Sequence, residues 1–268
     1  MLKDITLGQY FPGNSIAHKL DPRTKILLVT LYIIALFSAK GWMGYAVMAV
    51  TLAACVKVSH VGLRALVRGL KPLVFIIAFT GILNMFFTPD THYLWEWGIL
   101  RVSVKGIENA LFMVIRIMLL VMGTFLMTYT TSPIRLTDGL ESLLNPLKKI
   151  HVPVHELAMM MAIALRFIPT LIEETDKIMS AQKARGADFD SGNIFQKAKA
   201  LVPILVPLFI SAFRRADELA TAMECRCYHG GEGRTKLHVL KYQRRDYVAL
   251  AGGVVILALV VVLRRLSA

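Results

Sequence analysis

The chain has 268 residues, of which 56% are hydrophobic and 18% charged, with a net charge of +13 and a mean hydropathy of +0.57. Soluble domains carry about a quarter charged residues, so the composition excludes an ordinary soluble domain and points to helices in lipid. The cations flank apolar segments and are not interleaved with aromatics, which favours a membrane face beside anionic lipid over a nucleic-acid platform.

In chain order, residues 1–25 are polar and end in Asp21-Pro22-Arg23-Thr24-Lys25. They contain no apolar signal-peptide core, so the first span is expected to serve as the signal. Ile26–Ala39 and Trp42–Val58 are apolar but short for a span of about 20 residues. They predict two short helices joined at Lys40-Gly41. One continuous buried helix is the alternative, opposed by a lysine and a glycine in mid-bilayer. Lys57, His60, Arg64, Arg68 and Lys71, interspersed with Val61, Leu63, Leu66, Val67 and Leu70, predict a helix lying at the interface. Pro72–Phe87 is the third apolar run. The polar loop 88–105 holds a hairpin candidate over Leu94–Arg101, whose tryptophans suit the membrane surface. Gly106–Tyr129 is the fourth run, and its Arg116 has to face protein or water at that depth.

From Thr131 to Asp246 the chain is charged yet carries long amphipathic stretches. Tyr247–Leu263 is a last clean apolar run. Lys19, Arg23 and Lys25 share a side with Lys57, Arg64, Arg68 and Lys71 and with the basic 132–246 region. The positive-inside rule therefore places the N-terminus and residues 132–246 in the cytoplasm. Five spans would leave Arg264 and Arg265 outside, where they either snorkel or indicate a span count wrong by one.

The 132–246 region predicts short helices broken at Pro133 and Pro146, then a long helix from Pro153 to Gly186 with a kink at Pro169. Val152–Ile172 is apolar enough to resemble a span, but His155, Glu156 and Arg166 favour a helix lying under the membrane. A second long helix runs from Gln196 to Cys225-Arg226-Cys227, and Tyr228-His229-Gly230-Gly231 ends it. Ala158 and Ala162 on the first helix, and Ala212, Ala216 and Ala220 on the second, are spaced for close helix approach; plain alanine propensity explains any one of them as well. Each long helix ends in an arginine flanked by small residues. A guanidinium at a rigid helix end can make several fixed hydrogen bonds in an acidic groove of a partner. A cation in a last turn is favourable on dipole grounds alone, but two matched ends in one chain favour docking.

No metal site is expected. Cys225, Cys227 and His229 supply three ligands and would have to recruit His238, whereas zinc usually takes four; Pro153 lies between His151 and His155. Gly230–Lys236 lacks the phosphate-loop spacing and follows a helix where a phosphate loop opens one. Cys225 and Cys227 are too close to favour a mutual disulfide, and Cys55 lies in an apolar run. Glu173, Glu174 and Asp176 read as a solvated surface cluster, without a nucleophile–base pair. A stand-alone secondary transporter or channel is the alternative function, with only Arg116 and Asn84 as intramembrane polar support.

Ser15–Lys25 resembles the opening segment of the transmembrane T component of energy-coupling factor (ECF) transporters. Gln182-Lys183-Ala184-Arg185-Gly186 matches that family's first Ala-Arg-Gly signature, and Ala222–Lys236 resembles the second. The second departs from the pattern, because Cys225 and Cys227 replace the small residues around Arg226. The resemblance implies a non-catalytic, all-α integral membrane subunit with about five transmembrane helices and two long crossed coupling helices. Its expected parts are a membrane region 1–131, a cytoplasmic coupling region 132–236 and a C-terminal span 237–268. It implies two ABC-type ATPase partners, docked through Ala184, Arg185 and Gly186 and through Cys225, Arg226 and Cys227. It also implies a substrate-binding S component for a vitamin or other micronutrient, and no cofactor of the chain's own.

Overall fold

Caps organise the polar opening segment. Ser15 Oγ accepts from His18 N at 3.3 Å and pairs with His18 Nδ1 at 2.6 Å, starting α1 (Ile16–Lys19). Asp21 Oδ1 accepts from Arg23 N at 2.9 Å, and Pro22 occupies the first turn of α2 (Pro22–Ser38). A short acceptor before a helix and a proline at its start are the favoured arrangement, because the first amides have no intrahelical partner. The computed structural model describes residues 10–88, 93–97, 100–187, 189, 193–231 and 239–266.

The chain separates α2 from α3 (Gly41–Ser59) at Lys40-Gly41, where Gly41 has φ +67°. The two-helix expectation therefore holds against the continuous one. Then follow α4 (Leu63–Leu70), a 3-10 turn Lys71–Leu73, α5 (Val74–Phe87) and α6 (Val104–Thr130). Between α5 and α6, β1 (Tyr93–Trp97) pairs antiparallel with β2 (Leu100–Ser103), where the sequence places a hairpin; Gly98 and Ile99 lie outside the described residues. Then come α7 (Pro133–Leu144), a 3-10 segment Asn145–Ile150, α8 (Val154–Ala184), α9 (Ile194–Glu224) and α10 (Arg244–Leu266).

Among the described residues six helices are long and apolar enough to cross a membrane: α3, α4 continued into α5, α6, α8, α9 and α10. The expected five counted α2, which has 17 residues, and left out α8 and α9. The chain is an all-α, multi-pass membrane protein by either count. It divides into two compact units, described here separately: residues 10–142 with 240–266, and the described residues between 143 and 239.

In the first unit, Leu36, Met48 and Val260 are fully buried where α2, α3 and α10 contribute to one core with Leu119 and Tyr129 of α6. Phe75, Ile76, Phe79 and Ile82 of α5 stay exposed, as lipid-facing side chains do. Small residues set the approach to α6. Gly69 lies against Phe125 and Gly106 against the Met85 carbonyl, each without room for a Cβ, and a Cβ on Gly81 would press on Val114 at 3.0 Å. Tyr129 donates to the Ala65 carbonyl at 3.3 Å. These pairs run antiparallel from one end of α6 to the other. So α4 is the first part of the α5 span and does not lie separately at the interface as its basic-apolar pattern suggests. Ala65 and Gly69 allow the close packing, and the 3-10 turn absorbs Pro72.

A buried polar junction closes one end of this unit. Asp246, 1% exposed, accepts from Asp21 N and from Gln243 N, both at 2.8 Å. Lys25 Nζ donates to the Thr130 carbonyl at 2.8 Å and to Thr131 Oγ1 at 3.1 Å. The starts of α2 and α10 and the end of α6 are thereby joined. A buried amide deprived of its acceptor costs about 1–3 kcal/mol. Asp246→Ala orphans two and is expected to lower the melting temperature of the detergent-solubilised protein by roughly 4–8 °C, while Asp246→Asn, which keeps an acceptor, loses less. A thermal melt followed by tryptophan fluorescence checks this.

Candidate functional site: two matched helix ends

The second unit is built on α8 and α9, each 31 residues long. Asn193 opens α9, its N–H donating to Gln196 Oε1 at 3.1 Å in a capping box. Pro169 lies inside α8, and Pro203 and Pro207 inside α9, with the helices assigned through them. The better-buried stripe of α9 is Ile204, Leu208, Ser211, Arg215, Leu219 and Met223, at helical spacing. The alanine row expected at the contact departs from this, because Ala216 and Ala220 are exposed and only Ala212 is partly covered. Arg215 Nη2 meets Glu174 Oε2 of α8 at 3.0 Å, joining the two helices by a charge-assisted bond. Glu174 thus leaves the solvated cluster that its neighbours Glu173 and Asp176 suggest. The available signal was the adjacency of Glu173-Glu174 and Arg214-Arg215 at matching distances from the two helix ends.

The ends themselves share one geometry. After α8, Gly186 adopts φ +87°, its N–H donates to Lys183 O at 3.0 Å, and Ala187 N donates to Gln182 O at 3.0 Å. After α9, Cys227 adopts φ +54°, its N–H donates to Glu224 O at 2.8 Å, and Tyr228 N donates to Met223 O at 3.1 Å. Both are Schellman motifs, in which a left-handed residue turns the chain back over the last carbonyls. Superposing the patterns equates Arg185 with Arg226, Gly186 with Cys227 and Ala184 with Cys225. All six residues are exposed. The backbone donors at each end are thus used internally, and the arginine side chain projects from a terminated, rigid helix.

Arg185 follows Glu174 by 11 residues, and Arg226 follows Arg215 by the same 11. At 1.5 Å per residue each arginine stands about 16 Å along its helix from the cross-helix ion pair. The two ends are therefore equal arms on a common contact.

Among the described residues no group of three or more His, Cys, Asp or Glu side chains is placed to hold a metal ion. His238, the fourth ligand considered, and residues 232–236 of the glycine-rich segment lie outside the described residues. Gly231 packs against the His155 ring so closely that a Cβ would collide, which returns the chain from the second end to the start of α8. In the first unit Arg116 donates through Nε to Tyr45 Oη at 2.9 Å and lies over the rings of Phe37 and Tyr45, so this cation does face protein.

A multi-pass helical protein with two long helices, each ending in an exposed arginine, defines a membrane-embedded component. The chain belongs to the CbiQ family, described as cobalt transport protein, which matches residues 13–237. It is 52% identical over 263 residues to the energy-coupling factor transporter transmembrane protein EcfT of Ruminiclostridium cellulolyticum, covering 98% of each chain. The proteins of that name from Acidaminococcus fermentans and Bacillus subtilis are 56% and 46% identical, over 98% of this chain and 97% and 100% of theirs.

A side chain in the left-handed region costs on the order of 1 kcal/mol, which glycine avoids. Cys227→Gly is expected to stabilise the α9 end by about 0.5–1 kcal/mol, and Cys227→Val to destabilise it by more, as is Gly186→Val at the α8 end. Hydrogen exchange of the last-turn amides of α8 and α9 reads each effect locally.

Proposed function

We propose that the chain is the coupling subunit of an ECF-type ABC importer in the cell membrane. It transmits ATP-driven motion from two ABC-type ATPase subunits to a substrate-binding S component that takes up a vitamin or other micronutrient. The observation that carries this reading is the equivalence of the two Schellman ends, with Arg185 and Arg226 exposed at equal distances from the Glu174–Arg215 contact. Two similar ATPases present two similar grooves, and two similar knobs are what such a pair requires. Family membership and the printed names of the relatives support the same assembly.

In this reading residues 1–131 and 237–268 form the membrane region that grips the S component, and 132–236 form the coupling region. The N-terminus and residues 132–246 face the cytoplasm. Ala184, Arg185 and Gly186 enter one ATPase groove, and Cys225, Arg226 and Cys227 the other. Compact neighbours let the groove walls close on each guanidinium. The chain itself is non-catalytic and carries no cofactor; the ATPases hydrolyse ATP. Nucleotide binding draws the two grooves together, the arms follow, and the helices pivot at Glu174–Arg215.

A docked arginine loses its water and gains carboxylate partners. Replacing it by an acid leaves those partners buried and opposed, at a cost of about 3–5 kcal/mol. Arg185→Glu or Arg226→Glu is expected to abolish substrate uptake while the protein remains in the membrane. Wild-type uptake and ATPase assembly in the double variant would remove the proposal. The partly exposed pivot pair is worth less, on the order of 1 kcal/mol. Glu174→Arg alone is expected to slow uptake several-fold, and adding Arg215→Glu to restore most of it; uptake assays in whole cells check both.

A further inference from the structure

The first span after α3 enters the membrane with three cations on one face. Arg64, Arg68 and Lys71, at positions i, i+4 and i+7, are exposed side by side along α4 and its 3-10 extension. Residues three and four apart share a helix face. Next to this row, Leu63 is 66% and Val67 57% exposed. Leu66 and Leu70, on the opposite side, are buried. The helix therefore turns one face to its own core and leaves a cationic row beside an apolar row on the outside.

Among the described residues nothing neutralises that row. No Asp or Glu occurs between Asp21 and Asp90, and among the described residues no ion pair or side-chain hydrogen bond engages Arg64, Arg68 or Lys71. Three unpaired cations within two turns repel each other and favour an external anion. The Tyr129–Ala65 bond holds α4 beside the end of α6, next to the Lys25–Thr130 junction. The cations thus join the end of the bundle that already carries Lys25.

Their depth fits the phosphate band. Leu63–Phe87 has 25 residues, about 37 Å of helix, against a hydrocarbon core of about 30 Å. With Phe87 at the far boundary, Lys71, Arg68 and Arg64 stand about 24, 28 and 34 Å away along the axis. Arg64 then falls at the near phosphate level, and Arg68 and Lys71 reach it by extending their stems. Phe75, one turn deeper than Lys71 and 79% exposed, stands about 18 Å from Phe87, where the acyl methylenes of the same lipid run. A soluble acidic partner would not reach Phe75 within the hydrocarbon, whereas a phospholipid matches the cations and the apolar surface below them at once.

We propose that this face of α4 and the start of α5 is a binding site for an anionic phospholipid, with Arg64, Arg68 and Lys71 holding the phosphate-bearing headgroup and Phe75 lining the upper acyl chain. The site is separate from the helix ends that carry the coupling proposal and stands or falls without it.

The test is native mass spectrometry of the full chain, released from detergent after incubation with phosphatidylglycerol or phosphatidylcholine. Wild type is expected to retain phosphatidylglycerol at least about tenfold better than phosphatidylcholine, since each interfacial cation adds several-fold to anionic-lipid affinity. The preference is expected to fall to near unity in Arg64→Gln/Arg68→Gln/Lys71→Gln. It is expected to survive in Arg64→Lys/Arg68→Lys and in Lys40→Gln at the α2–α3 turn. On wild type alone, 0.5 M salt is expected to reduce phosphatidylglycerol retention and leave phosphatidylcholine unchanged, which tests the site even if the triple variant does not fold. Equal retention of the two lipids, or unchanged preference in a folded triple variant, overturns the proposal. So does complete displacement of the lipid by millimolar inorganic phosphate, which would assign the row to the free ion. Loss of a partner subunit from the triple variant with its lipid count unchanged would assign the face to protein and also overturn it.

Discussion

The proposed coupling role depends on a backbone constraint, the left-handed residue that closes each long helix. A helix terminus leaves four carbonyls without partners. Gly186 and Cys227 turn the chain so that following amides satisfy some of them, and this fixes where the preceding arginine points. A frayed terminus would spread Arg185 or Arg226 over many directions, and a partner would lose the entropy of ordering it on binding. The constraint is tighter at the second end, where a cysteine bears the strain that glycine escapes at the first.

Rigidity at the tips is useful only if the helices move as bodies. The Glu174–Arg215 pair ties α8 to α9 at one level, with the tips equally far beyond it. The pair is partly exposed, so it ties the helices weakly and is not a deeply buried lock. The first unit shows the opposite design at its polar end. Asp246, Asp21, Lys25 and Thr130 are buried and bonded to one another's backbone or side chains, which pins α2, α6 and α10 at one point. Unpaired cations on α4 would add a third kind of anchor, set in the lipid headgroups.

Much of this was legible in the sequence because each feature follows a local rule. Apolar runs gave α3, α5, α6 and α10. Lys40-Gly41 gave the break after α2, and Gly186 the end of α8. The equivalence of the second end was legible only through Arg226, since cysteine at a left-handed position breaks the glycine rule. What the sequence hid was tertiary. Ala65 and Gly69 look like unremarkable members of an amphipathic helix until Phe125 and Tyr129 are seen against them, which turned an expected interfacial helix into the start of a span. Ala216 and Ala220 have spacing suited to a helix contact, yet the neighbouring Arg215 row makes it. Asp246 carries no sequence signal beyond its place at a helix start, and one of its two partners, Asp21, lies 225 residues away. Length and hydropathy also cannot separate a span from a long amphipathic arm, which is why α8 and α9 satisfy both descriptions.

The central claim is that the two arginine-tipped arms move together with the ATPase cycle. Lys183 and Glu224 sit two residues before Arg185 and Arg226 and are exposed, so spin labels placed there, in a chain whose native cysteines are replaced by serine, report the separation of the tips. Pulsed electron–electron resonance on the assembled complex is predicted to show that distance shortening by several ångströms when a non-hydrolysable ATP analogue is added. An unchanged distance distribution in a complex that still binds the nucleotide would contradict the account.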